Sequence, residues 1–147
     1  MDRQVSEFLA RLASVRDPQS RLALAVERAR KRPPLPDNLR ADGHRVEGCQ
    51  VRLWFVPELK NGSCWFHTDS DAVTLKALVG LLCDFYSGRT PSEILAQPPV
   101  FLEDLGLLHH LAESRRATIL RVIEKIRQFA SDHVQNRTPH KTKDFGE

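Results

Sequence analysis

Apolar residues recur at the helical spacing of three to four positions over most of the chain. This pattern predicts helices near residues 5–12, 18–32, 71–86 and 114–129. The third of these is apolar on almost every side, so it is expected to lie at the centre of the core. A further, short helix is expected where residues 90–93, Thr-Pro-Ser-Glu, have the sequence of a capping box.

A different period marks the middle of the chain. Apolar and polar positions alternate over residues 51–56 and 63–68, which predicts two strands. Asn61 and Gly62 lie between them and supply the two positive φ angles of a tight hairpin turn. Residues 33–45, which contain three prolines, lead into the first strand and are expected to form a connector on the surface.

These elements predict an α+β fold. We expect a small antiparallel β-sheet of about three strands, packed on one face by several α-helices. A length of 147 residues and an apolar content of 41% fit one domain, which we assign to residues 1–135. The polar residues 136–147 are expected to form a disordered tail.

Charge and the length of apolar runs narrow the range of partners. The 22 Lys and Arg residues exceed the 19 Asp and Glu residues only slightly and are scattered, so nucleic acid is not an expected partner. The amino-terminal segment lacks the apolar core of a signal peptide, and no run reaches the roughly 18 apolar residues of a membrane span. We therefore expect a cytoplasmic protein that does not bind a membrane.

Several kinds of chemistry lack their motifs in this sequence. It has no Gly-x-Ser-x-Gly nucleophile elbow, no P-loop and no dinucleotide glycine fingerprint. The three cysteines and six histidines include no Cys-x-x-Cys or His-Glu-x-x-His pair. A metal site is therefore not expected.

The three cysteines are expected to be free thiols, and they differ in their surroundings. Cys83 lies in the most apolar helix and Cys64 in a strand, so both are expected to pack in the core. Cys49 instead follows a glycine where the connector meets the first strand, with Arg45 and Arg52 nearby to favour the thiolate. Loops held by a rigid sheet often carry reactive groups, so Cys49 is the candidate reactive residue.

The order of several short motifs resembles the SufE family of sulfur acceptor proteins over residues 5–131. The motifs are Gly48-Cys49-Gln50 with Leu53-Trp54, Ser70-Asp71-Ala72, Thr90-Pro91 with Glu93-Ile94-Leu95, and Leu111 with Ser114-Arg115. Two positions depart from the family pattern. Val51 replaces a usual serine, whose hydroxyl would lie close to the thiol, and Ala77 replaces a common glycine, which bears on a close helix contact.

The resemblance implies a persulfide carrier that needs no cofactor, a sulfurtransferase-like accessory protein rather than a stand-alone enzyme. By that analogy Cys49 accepts sulfur from a PLP-dependent cysteine desulfurase, stimulates it, and delivers the sulfur to an iron-sulfur scaffold complex. Gly48, Gln50 and Asp71 would support the cysteine loop, which must both hide and expose the sulfur. Arg115 would lie at the desulfurase interface or near this loop.

Other interpretations stay open at this point. The sulfur could pass to a different acceptor, for tRNA thiolation or cofactor sulfuration. The fold also resembles that of iron-sulfur scaffold proteins, although the separated cysteines argue against a metal-binding scaffold, and a structural adaptor would use none of its thiols. Asp71 is as well placed to stabilise a helix start as to latch the loop, and Arg115 is equally consistent with a solvated arginine.

Overall fold

The chain folds as two helices, a β-hairpin and four further helices in the computed structural model, which describes residues 2–137. The elements are α1 (Arg3–Ala13), α2 (Pro18–Arg30), a 3-10 turn (Asp42–His44), β1 (Leu53–Lys60), β2 (Ser63–Ser70), α3 (Val73–Tyr86), α4 (Pro91–Ala96), α5 (Phe101–Asp104) and α6 (Glu113–Arg137). The α+β class is confirmed. Residues 136 and 137 end α6, and the rest of the predicted tail lies outside the described residues.

The sheet is a two-stranded antiparallel hairpin, where about three strands were expected. Asn61 and Gly62 have φ angles of 54° and 82°, so the predicted turn is confirmed. Each outer edge gains one isolated bridge: Val46 N donates to Leu53 O at 2.8 Å, and Cys64 N donates to Arg89 O at 2.8 Å. Among the described residues, neither the segment at Arg45 nor the segment at Arg89 continues as a strand, because each leaves the sheet after a single pairing.

The core lies between the hairpin and helices α3 and α6, with α3 at its centre as predicted. Ten residues of α3 are buried, including Leu75, Leu78 and Leu82. Across the core, the rings of Phe55 and Phe66 stack with centroids 5.7 Å apart, and a ring from α6 meets Phe66 edge-on. The buried stripe of α6 thereby fixes this helix against the hairpin.

Helices α2 and α3 meet through small side chains. Ala77 is buried against Ala25 and Ala29 of α2, so a close helix contact forms although position 77 is not glycine. At the next turns Arg28 Nη2 lies 2.8 Å from Asp84 Oδ2, and Arg32 binds the same carboxylate. The contact therefore combines close backbone approach with ion pairs at its edge.

At the Trp54–Asp69 end of the hairpin, the second face is covered by the connector rather than by a helix. Trp54 is only 2% exposed, and the guanidinium of Arg40 stacks over its ring at 4.5 Å from the centroid. Asp69, the cross-strand neighbour of Trp54, accepts a hydrogen bond from Leu35 N at 3.0 Å. The connector thus packs on the sheet and positions the chain for the following loop.

Candidate functional site

The loop of residues 47–52, here called the cysteine loop, is held to the hairpin at both ends. At its start Val46 N donates to Leu53 O. At its end Arg52 O accepts hydrogen bonds from Ser70 Oγ at 2.7 Å and from Asp71 N at 3.1 Å. The loop is therefore a short excursion between two fixed points, with Cys49 near its middle.

Gly48 and Arg121 shape the first half of the cysteine loop. Gly48 has a φ of 82°, which L side chains rarely adopt. Arg121, on the exposed side of α6, donates from Nη1 to Glu47 O at 3.1 Å, and a Cβ at position 48 would lie only 2.9 Å from the same atom. The glycine thus permits both the turn and the close approach of the α6 guanidinium.

Cys49 is partly buried beside a small cavity between the cysteine loop, α3 and α6. Its Sγ–H donates to Thr118 Oγ1 at 3.6 Å. The cavity has a volume of about 130 Å³ and is lined by Gly48, Cys49, Gln50, Val51, Leu75, Ser114, Arg115 and Thr118. The structure therefore brings four of the candidate site residues together at one cavity, Gly48, Cys49, Gln50 and Arg115, whereas Asp71 does not line it.

Arg115 supplies positive charge at this cavity. It is half-buried in the first turn of α6, and its guanidinium forms no hydrogen bond or ion pair within the part of the chain that the structure describes. Arg45 and Arg52, which the sequence suggested as the cations beside the thiolate, do not line the cavity: Arg45 borders a different groove and Arg52 pairs with Asp71. Of these three arginines, Arg115 is the one that lines the Cys49 cavity.

Asp71 connects the end of the cysteine loop to the connector. Arg52 Nε lies 2.6 Å from Asp71 Oδ2, and Arg40 Nη2 lies 3.6 Å from Asp71 Oδ1. The expected role of Asp71 in the first turn of the helix is not observed, because α3 begins at Val73, two residues later. The hydroxyl of Ser70 accepts from Ala72 N at 3.1 Å instead, just before the helix.

The other two cysteines are fully buried, as predicted. Removal from water raises the pKa of the Cys64 thiol to about 11 and raises the pKa of Cys83 further above its ordinary value. A buried thiol of this kind is an inert packing group. Among residues 2–137, no three His, Cys, Asp or Glu side chains lie close enough together to hold a metal ion.

Two residues of the site were missed by sequence reasoning. Thr118 lies one helical turn beyond Arg115, so the helical period places both on one face of α6 and could have indicated it. Arg121 gives no such signal, because an exposed arginine on a helix looks like any solvated charge until the loop is seen beside it.

The fold and site define a class: a small α+β protein with one partly exposed cysteine on a short loop over a helix. Residues 6–130 match the family described as "SufE: Fe-S metabolism associated domain", and the chain belongs to this family.

No helix in residues 2–137 is both long and apolar enough to cross a membrane.

Individual proteins similar to this chain agree with that assignment. An uncharacterized SufE-like protein of Synechocystis sp. is 30% identical over 76% of this chain and 70% of its own length. The sulfur acceptor protein CsdE of Escherichia coli is 35% identical over 56% of this chain and 58% of its own length. The cysteine desulfuration protein SufE of Plasmodium vivax is 29% identical over 82% of this chain but only 49% of its own length.

A solved structure supports the fold independently. The solution structure of a hypothetical protein from Thermus thermophilus superposes with a TM-score of 0.69 at 22% identity, covering 89% of this chain and 96% of the other. The arrangement of the hairpin and helices is therefore one already seen in a solved protein.

Changing Gly48→Ala is expected to loosen the cysteine loop. Alanine at this φ costs about 1–2 kcal/mol, and its Cβ would displace the Arg121 guanidinium. Alkylation of Cys49 by iodoacetamide, followed by mass spectrometry of its peptide, should become several-fold faster. Gly43→Ala is the matched control, because a Cβ there meets no atom within 4 Å. Equal rates in the two variants would mean that Gly48 and Arg121 do not hold the loop closed.

Changing Asp71→Arg should open the same loop from its other end. The substitution replaces both ion pairs of Asp71 with repulsion from Arg40 and Arg52. Cys49 should again be alkylated faster, and hydrogen exchange should increase mainly in residues 44–52 and 68–74. Asp104→Arg makes the same charge change at an exposed site on α5. Unchanged alkylation, or faster exchange throughout the domain, would argue against a latch at Asp71.

Proposed function

We propose that this protein accepts persulfide sulfur from a cysteine desulfurase on Cys49 and delivers it for iron-sulfur cluster assembly. The observation that carries the proposal is the contrast among the thiols: Cys49 alone of the three is partly exposed, and it lies in a loop beside a small cavity. The names of two relatives, a sulfur acceptor protein and a cysteine desulfuration protein, support this role.

The transfer is a thiol exchange at sulfur. The Cys49 thiolate attacks the terminal sulfur of the desulfurase persulfide, and a new S–S bond forms on Cys49 as the S–S bond on the desulfurase breaks. The electron pair of the broken bond leaves with the desulfurase cysteine as a thiolate. The sulfur keeps its oxidation state, so the step needs no cofactor in this protein.

The surroundings of Cys49 suit a group that must be protected and then released. The added sulfur would lie about 2 Å beyond Sγ, and the cavity has room for it between Val51, Leu75 and α6. Closure of such a site limits access of water and small thiols, while transfer requires the loop to open. Apart from the hydrogen bonds at its two ends, the loop is held by the exposed Arg52–Asp71 ion pair and by the hydrogen bond from Arg121 to Glu47 O, and such contacts break readily.

Arg115 is the residue that we propose to contact the desulfurase. A cation in the first turn of a helix is unfavourable by about 0.3–1 kcal/mol, and this one has no compensating contact among the described residues. Arg115 lines the Cys49 cavity, which would bring it close to any partner whose persulfide reaches the thiol.

A metal-binding scaffold is less well supported. Cys64 and Cys83 would have to serve as ligands, yet both are fully buried in the core. Transfer of sulfur to another acceptor, for tRNA thiolation or cofactor sulfuration, would use the same chemistry at Cys49 and differ only in the receiving protein.

The Cys49→Ser variant should fold normally and accept no sulfur. Incubation of the wild type with a cysteine desulfurase, cysteine and PLP should add about 32 Da per sulfur atom, at the Cys49 peptide alone. Cys83→Ser is the contrast: it places a hydroxyl in the apolar core and should lower stability by about 1–3 kcal/mol while the folded fraction still accepts sulfur. Normal transfer by Cys49→Ser would show that the assignment is wrong.

The Arg115→Ala variant should weaken stimulation of the desulfurase more than it changes the melting temperature. Removal of an unpaired cation from the first turn of α6 leaves folding stability nearly unchanged or slightly raised. Arg127→Ala removes the same charge from the exposed surface of the same helix and should leave stimulation intact. A lower melting temperature with normal stimulation would instead make Arg115 a structural residue.

A further inference from the structure

The hydroxyl of Thr118 lies between the Cys49 sulfur and the backbone of α6. Thr118 is 5% exposed, and its Oγ1 donates to Ser114 O at 3.1 Å. The same oxygen accepts the Cys49 Sγ–H at 3.6 Å. Since a threonine hydroxyl has one proton and two lone pairs, both contacts are satisfied together only while Cys49 is a thiol.

Loss of the thiol proton changes this arrangement. A Cys49 thiolate or persulfide anion has no proton to donate, so a lone pair of Oγ1 would face a negative sulfur. Rotation of the hydroxyl turns its proton from Ser114 O toward the sulfur, and no other atom has to move. The Ser114 carbonyl still accepts the regular helix hydrogen bond from Thr118 N, so it is not left without a partner.

We propose that Thr118 is a positioning residue whose hydroxyl accepts from the Cys49 thiol and donates to the Cys49 thiolate and persulfide anion. The thiolate half of this proposal stands on geometry alone, and the persulfide half rests on the proposed function. The hydroxyl thus remains a partner of the sulfur in each protonation state. Position 51, where the family pattern usually has serine, is valine here, and Thr118 supplies a hydroxyl to the same cavity from α6.

Few charged or ionisable side chains lie close enough to Cys49 to stabilise a negative sulfur. Arg115 is the only other ionisable side chain among the described residues that line the cavity, and α3 contributes Leu75. On the loop, Glu47 is exposed, with its carbonyl bound by Arg121, and Arg52 is paired with Asp71. Arg115 and Thr118 are therefore the groups on α6 best placed to stabilise a negative sulfur.

The first test compares Thr118→Val with Thr118→Ser. Valine keeps the shape of threonine but lacks the hydroxyl, whereas serine retains it. The rate of Cys49 alkylation by iodoacetamide is measured from about pH 5 to about pH 10, a range that spans the ordinary thiol pKa. With valine we expect the midpoint of the profile to move to higher pH by roughly half to one pH unit, because the variant loses a strong hydrogen bond to the thiolate and a weaker one from the thiol. Serine should keep the wild-type midpoint.

Thermal unfolding of each variant controls for structural effects, and Thr118→Ala is a second hydroxyl-free variant if valine prevents folding. Alanine should give the same displaced midpoint. A midpoint that is unchanged in folded valine and alanine variants overturns the proposal. The same displacement in the serine variant would also overturn it, because the effect would then not depend on the hydroxyl.

The second test examines the persulfide without a desulfurase. Inorganic polysulfide transfers one sulfur to the Cys49 thiolate and leaves as a polysulfide shorter by one sulfur. The glutathione thiolate then attacks the outer sulfur, which leaves as glutathione persulfide while the S–S bond on Cys49 breaks and the Cys49 thiolate is released. Mass spectrometry should show several-fold faster loss from Thr118→Val than from wild type or Thr118→Ser. Equal lifetimes would overturn the persulfide half. If the desulfurase fails to load wild type while both Thr118 effects appear, the proposed function fails and the role of Thr118 stands.

Discussion

The buried carboxylate of Asp69 fixes how the connector, the hairpin and α3 meet. It is only 3% exposed, and an unpaired carboxylate at such a site would be strongly destabilising. Leu35 N donates to it from the connector, Ser70 N donates from β2, and Lys76 Nζ lies 3.4 Å away on α3. The connector and α3 therefore both converge on one side chain of β2. This convergence holds a proline-rich connector, which has little apolar surface of its own, against the second face of the sheet.

Arg40 links Asp69 to the end of the cysteine loop. Its guanidinium stacks on Trp54 and lies 3.9 Å from Asp69 and 3.6 Å from Asp71, which in turn pairs with Arg52 at the end of the loop. The interior of this network is buried, whereas its last pair is exposed. Exposed pairs contribute about 0–1 kcal/mol, so the last pair of the network adds little to the free energy that holds the loop in this position.

Local features were predictable because short segments determine them. The Asn61-Gly62 turn has the expected positive φ angles, and the Thr90 and Glu93 side chains make both bonds of the capping box. Cys49 was chosen as the candidate from its glycine neighbour and its position between elements, and the family resemblance added Arg115; the structure places both at one cavity. Long-range contacts were not predictable: alternation places Trp54 on the face opposite Leu53 and Phe55, and nothing in the local sequence indicates that the connector covers it. The partners of Asp71 were missed for the same reason.

The site is divided between the cysteine loop and α6, so the position of the Cys49 sulfur determines which groups can stabilise it as an anion. Cys49 and Val51 belong to the loop, whereas Thr118 and Arg115 belong to α6, which is fixed in the core by residues such as Ile119 and Val122. An anionic sulfur is stabilised by nearby donors and cations and is less nucleophilic for that reason. Because both groups are on α6, opening of the loop removes the sulfur from both at once. Under the proposed function, the closed position favours storage of the sulfur and an open position favours its transfer, without any change in the rest of the fold.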